Sequence, residues 1–154
     1  MKRTILSLLS ALAMMACPSL ADTSITAYGT YWDAESSGTG AGLRLKKTFL
    51  GFGAAEVRGG YVNFDEIDVE MIPLDVSLNA RLPFMISPYI GVGAGYYITN
   101  SDLPGFDNTA GYFGQIGIEI TFIWIGAMAE IRYYDIEEAY FDSPAYNVGL
   151  LVKW

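Results

Sequence analysis

Apolar and polar residues alternate along most of the chain. The clearest stretch sets Ile72, Leu74, Val76, Leu78, Ala80 and Leu82 against Asp75, Ser77, Asn79 and Arg81. A period of two is the mark of a strand with one apolar and one polar face. Followed between turn signals, the alternation predicts eight strands. The first runs from Ser24 to Glu35 and breaks at Ser36-Ser-Gly-Thr-Gly40. The second, Ala41 to Phe49, sets Leu43, Leu45 and Phe49 against Arg44, Lys46 and Thr48, and the third, Phe52 to Phe64, puts Glu56 and Arg58 on one face. The fourth is the stretch above, where Pro73 predicts a bulge or a weakly paired segment because it brings no N–H to the ladder. The fifth, Pro88 to Thr99, has Ile90, Val92, Ala94, Tyr96 and Ile98 on one face and Gly91, Gly93 and Gly95 on the other. The sixth, Gly111 to Phe122, sets four large apolar residues against Gln115, Gly117, Glu119 and Thr121. The seventh, Trp124 to Ile136, and the eighth, Ala145 to Trp154, follow the same scheme.

The connections divide into two kinds. Those after the second, fourth and sixth strands are short, and the others are polar and mostly longer. Asp33, Glu35, Asp65, Glu66, Asp68, Glu70, Asp102, Asp107, Asp135, Glu137, Glu138 and Asp142 cluster at the longer loops, which hold no Lys or Arg. Aromatic residues gather near both strand ends: Tyr31, Tyr61, Tyr96, Tyr112, Tyr133 and Tyr146 by the loops, and Phe49, Phe84, Tyr89, Phe122 and Trp154 by the turns. Short turns at one end, long loops at the other and two aromatic girdles are the pattern of a bacterial outer-membrane barrel. The predicted fold is therefore all-β, an eight-stranded antiparallel up-and-down transmembrane β-barrel. A lipocalin-like soluble barrel in the periplasm has the same strand count, but its apolar face points inward to hold an apolar ligand.

The beginning of the chain carries an address. Lys2 and Arg3 precede an apolar run from Ile5 to Met15, and Ser19-Leu20-Ala21 is a small-x-small cleavage site. Residues 1–21 are expected to be a cleavable signal peptide and 22–154 a single barrel domain destined for the outer membrane. Cys17, in Met14-Met15-Ala16-Cys17, leaves lipidation as a lesser alternative. Cleavage after Ala21 removes this lone cysteine, so no disulfide is available to the exported chain.

Composition changes the picture in two respects. Without Lys2 and Arg3, seven basic residues face 17 acidic ones, a formal charge of −10, which argues against nucleic acid as a partner. The 154 residues are 52% hydrophobic, with 17 Gly, 11 Tyr and no His, a mix that suits an apolar exterior and a narrow interior.

The segments Ile72-Pro-Leu-Asp-Val-Ser-Leu-Asn-Ala-Arg-Leu-Pro-Phe84 and Ser87-Pro-Tyr-Ile-Gly-Val-Gly-Ala-Gly-Tyr-Tyr97 resemble the central hairpin of the outer-membrane β-barrel domain family, the small OmpA/OmpX-type barrels. The resemblance implies an eight-stranded antiparallel barrel with both termini in the periplasm; a monomer is expected. It implies little about activity, because fold and function separate readily in such families. The chain ends at the barrel, so an OmpA-type peptidoglycan-binding domain is not expected.

The face assigned to the lumen carries Arg44, Lys46, Glu56, Arg58, Asp75, Arg81, Glu119, Glu130 and Arg132. Five bases and four acids in a narrow interior must pair, since an unpaired buried charge costs several kcal/mol. A paired, filled lumen is the expectation; a gate in which these groups exchange partners to pass small ions is the alternative. Lipid A deacylases and phospholipases of the outer membrane resemble this architecture but activate a Ser with His, which this chain lacks. No enzyme activity, catalytic residue, cofactor or metal ligand is assigned. Asp65-Glu66-x-Asp68-x-Glu70 is rich in oxygen but lacks the glycine and spacing of an EF-hand loop, and is read as a solvated face. The expected partners are outer-membrane lipid and lipopolysaccharide, bridged by divalent cations at the acidic rim, and the barrel-assembly machinery through the C-terminal strand. Trp154 is expected to serve closure and insertion.

Overall fold

A computed structural model describes residues 22–65, 67–100, 108–136 and 142–154. The signal-peptide and Cys17 expectations lie outside the described residues, as do Glu66, Asp102, Asp107, Glu137 and Glu138.

Eight strands form one closed barrel: β1 (Thr23–Trp32), β2 (Gly38–Phe49), β3 (Gly53–Phe64), β4 (Val69–Arg81), β5 (Ile86–Asn100), β6 (Thr109–Phe122), β7 (Ile125–Ile136) and β8 (Pro144–Lys153). Each pairs antiparallel with its sequence neighbours, and β8 closes on β1 with Ser24 opposite Lys153 and Trp32 opposite Ala145. Trp154 lies just past β8, and its backbone N–H and carbonyl bond Thr23 at 2.9 and 3.0 Å. No edge strand is left exposed, which removes the template for edge-to-edge association.

The alternation sorts residues outward and inward as a membrane barrel requires. Val92, Leu150, Ile116 and Val148 are among the large apolar residues exposed on the outside, while Arg44, Glu56, Arg58 and Arg132 are almost wholly buried. This inverts the polarity of a soluble barrel, and it removes the apolar cavity that the lipocalin-like alternative needs. The predicted loop-side tyrosines 31, 61, 96, 112, 133 and 146 all point outward, as do Phe49, Phe84, Phe122 and Trp154 at the turn side. Tyr89 is the exception and a correction. It shares its face with Gly91 and Gly93, lies 6% exposed, and fills the lumen instead of joining the girdle.

The boundaries around the first loop differ most from the sequence reading, the others by one or two residues. Asp33, Ala34 and Glu35 fall outside β1, and Gly38, Thr39 and Gly40, read as part of a break, open β2. Those glycines serve close approach and not a turn: a Cβ on Gly38 would run into the Phe64 ring, and one on Gly40 into the Tyr61 carbonyl. At Pro73 the ladder to β3 does lapse, between Gly59↔Leu74 and Val62↔Met71. The register is the same on both sides of the gap, so the segment is weakly paired without a bulge.

Candidate functional site in the lumen

All nine predicted interior charges point inward, and eight of them join into one alternating chain. From the turn side upward it runs Lys46, Glu119, Arg44, Glu56, Arg58, Glu130, Arg132, Asp75. Lys46 Nζ bonds Glu119, which also accepts from Arg44 Nη2 at 2.6 Å. Arg44 Nη1 reaches Glu56 at 3.3 Å, and Glu56 accepts from Arg58 at 2.9 Å. Arg58 then donates to both Glu130 oxygens at 2.7 and 2.6 Å, the bidentate geometry a guanidinium favours. Glu130 accepts in addition from Arg132 at 2.9 Å, and Arg132 ends the chain on Asp75 at 2.5 Å. Arg81, the ninth charge, lies 3.7 Å from Glu119 and donates to Ser87 and Thr48.

Neutral partners complete the hubs. Tyr89 donates its hydroxyl to Glu130 at 2.7 Å, Asn147 donates at 3.2 Å, and Thr26 accepts twice from Arg44. Gln115 reaches Glu56 and bonds Asn79. Every interior carboxylate thus faces at least one cation, as charges withdrawn from water must. Glycines make room for the bulky members: a Cβ on Gly117 would lie 2.5 Å from the Tyr89 ring, which occupies that space.

Above Asp75 the filling changes. Trp32, Val62, Phe64, Val69, Met71, Tyr97, Phe113, Tyr134, Ile136 and Ala145 form a buried apolar cluster across the loop end of the lumen. Trp32 stacks on Tyr134 with centroids 4.2 Å apart and meets Phe64 and Tyr97 edge-on. Arg132 joins the two layers, its guanidinium 4.2 Å from the Phe113 ring centroid and its Nη1 donating to the Tyr134 hydroxyl at 3.3 Å. Sequence reasoning assigned these rings to no interior role. The available signal was parity, since Trp32 falls on the same face of β1 as Ser24 and Thr26.

The interior leaves little free space. A void below the cap, lined by Tyr28, Trp32, Arg132 and Asn147 among others, holds about 10 Å³, and a second of about 10 Å³ lies at the turn-side mouth. Each is about the size of one water. Among the described residues no group of acidic or cysteine side chains converges as a metal site. Asp65 accepts from Asn63 at 2.6 Å and Glu70 from Tyr61 at 2.6 Å, so both are engaged locally.

A closed eight-stranded antiparallel barrel with apolar residues outside and a packed polar interior is an up-and-down transmembrane β-barrel of the small outer-membrane type. Solved structures of that type share the fold. The outer membrane protein OprG from Pseudomonas aeruginosa superposes with a TM-score of 0.69 at 15% identity, over 87% of this chain and 96% of its own. The N-terminal β-barrel domain of Pseudomonas aeruginosa OprF gives 0.64 at 16% identity, over 86% and 97%. Neisserial surface protein A gives 0.63 at 14% identity, over 86% and 95%. At these identities the likeness is one of fold. No protein-family model and no curated protein sequence matches the chain.

Proposed function

We propose that the chain is a small, monomeric integral protein of the bacterial outer membrane, with a structural or interaction role and no catalytic one. One observation carries this reading: an apolar exterior surrounds a lumen packed with an ionic chain and an aromatic cap. Among the described residues the voids along the lumen are water-sized, which favours a protein that acts through its surfaces. The loop end is its outward surface. Asp33, Glu35, Asp65, Asp68, Glu70, Asp135 and Asp142 are exposed there, with no Lys or Arg among the described loop residues. An all-acidic rim beside outer-leaflet lipopolysaccharide repels its phosphates unless Mg²⁺ or Ca²⁺ lies between them, so the rim holds lipopolysaccharide through shared divalent cations.

The test has two parts. The folded protein is expected to migrate faster on a cold detergent gel than after boiling, and to give no steady conductance in a planar bilayer. Large, long-lived channels would overturn the filled-lumen reading in favour of a conducting pore. Chelation is expected to release co-purified lipopolysaccharide while leaving the fast-migrating band intact, and lipid that stays bound in excess chelator would remove the cation bridge.

A further inference from the structure

The charges of the barrel are sorted by end, and the turn end is the cationic one. Lys46, Arg81 and Lys153 line its mouth against Glu119 and Asp22, and Lys47 sits beside them on the outer face. Side-chain exposure rises outward through this set, from 3% at Glu119 and 6% at Lys46 to 10% at Arg81 and 29% at Lys153. The mouth therefore opens to solvent at this end, with one more positive than negative group along its wall. Arg44 stands behind Glu119 and is shared with Glu56.

The register makes the site specific. Ser24 is paired with Lys46 on one side and Lys153 on the other, so the three side chains form one row across β2, β1 and β8. Ser24 is only 2% exposed, and its Oγ has no hydrogen-bond partner although it lines the void. A buried hydroxyl without a partner costs roughly 1–3 kcal/mol, and this one, set between two lysine side chains, has its O–H free to give to an acceptor. Thr48 and Thr121 add hydroxyls to the same wall.

We propose that the turn-side mouth is an oxyanion-docking site for a phosphate group, held by Ser24 Oγ, Lys46 Nζ, Lys153 Nζ and the Arg81 guanidinium. All three cations are already engaged: Lys46 with Glu119, Lys153 with the half-exposed Asp22 at 2.6 Å, and Arg81 with the Ser87 and Thr48 hydroxyls and, at 3.7 Å, with Glu119. The ammonium groups have further donors to offer, and Asp22, at the rim, can turn aside. A void of about 10 Å³ admits a single oxygen, so the rest of the phosphate remains outside the mouth. That geometry suits a phosphate carried on a larger molecule as well as the free ion. With the turn end facing the periplasm, as in the reading above, the inner-leaflet phospholipid headgroups lie at the height of this mouth.

The experiment uses the refolded chain in a phosphorus-free amine-oxide detergent. Amide shifts of residues 24, 46 and 153 are followed by NMR while inorganic phosphate, or short-chain phosphatidylglycerol, is added. Saturable shifts confined to this end are expected, weaker by about tenfold in Lys46→Gln and by about threefold in Ser24→Ala, in keeping with one charged and one neutral hydrogen bond. Asp135→Asn, at the opposite end, is expected to change nothing. Saturation by inorganic phosphate makes the free ion sufficient; saturation by the phospholipid alone identifies the headgroup as the source. Shifts that do not saturate with either, or that persist unchanged in Ser24→Ala, overturn the proposal. Ser24→Ala removes only an unpartnered hydroxyl, so the test stands even if Lys46→Gln fails to fold. Because binding is read in detergent, its failure is separate from any failure of the outer-membrane reading.

Discussion

Below Asp75 the lumen is held by ion pairs, and above it by stacked rings. The two regions share the same strands and the same narrow bore, yet they solve the filling problem in opposite ways. In the lower region Glu119 and Glu130 each collect several donors, so removing one carboxylate takes a partner from two or more buried cations at once. In the upper region Trp32, Tyr97, Phe113 and Tyr134 interlock by shape, and each loss leaves a hole. The ionic region fixes which strand faces which, because alternating signs tolerate few registers. The aromatic region packs against the topmost ion pair through Arg132, which lies over the Phe113 ring and bonds the Tyr134 hydroxyl.

Four substitutions can break or sharpen that contrast. The largest effect is expected from Glu130→Ala, which leaves Arg58 and Arg132 buried without their shared acceptor and should lower unfolding stability by about 3–5 kcal/mol. Urea titration in detergent or vesicles measures it, and a loss under about 1 kcal/mol would mean that the ionic chain is not structural. Trp32→Ala should cost about 3 kcal/mol by opening a cavity in the cap. It should also admit brief ion currents that Glu130→Ala does not, because among the described residues the cap is what closes the loop end of the lumen. Gly117→Ala forces Tyr89 off Glu130 and should cost about 1–3 kcal/mol, read in the same titration. Least affected should be Lys153→Ala, whose partner Asp22 is half exposed, with a change below about 1 kcal/mol that vanishes in high salt.

Much of the lower region was legible in the sequence. Period-two alternation placed Arg44, Lys46, Glu56 and Arg58 on one face, and near-equal numbers of acids and bases implied pairing. Which acid meets which base was not legible, because it depends on the stagger of strands far apart in the chain. Arg44 and Glu119 are 75 residues apart, and no local pattern couples them. The aromatic cap went unread for a different reason. Rings near strand ends suit both a membrane girdle and a lumen plug, and only parity separates the two. Applied strictly, parity moves Tyr89 inward with Gly91 and brings Trp32, Tyr97 and Tyr134 with it. Gly38 and Gly40 were misread as a break because glycine marks close backbone contact as often as it marks a turn.

The tight turns carry a consequence of another sort. Leu50 and Ile123 hold left-handed backbone angles, with φ of 53° and 57°, where Gly or Asn would sit with less strain. Both are large and apolar, and both stand out from the barrel rim, 70% and 77% exposed. Large apolar side chains at the turn-side rim of a membrane barrel suit the depth where hydrocarbon gives way to headgroups, where each hairpin tip would grip the bilayer like a cleat. Gripped there, the barrel would take its position along the membrane normal from its short end, and the acidic loops would be free to change in length and sequence without altering how deep the protein rides.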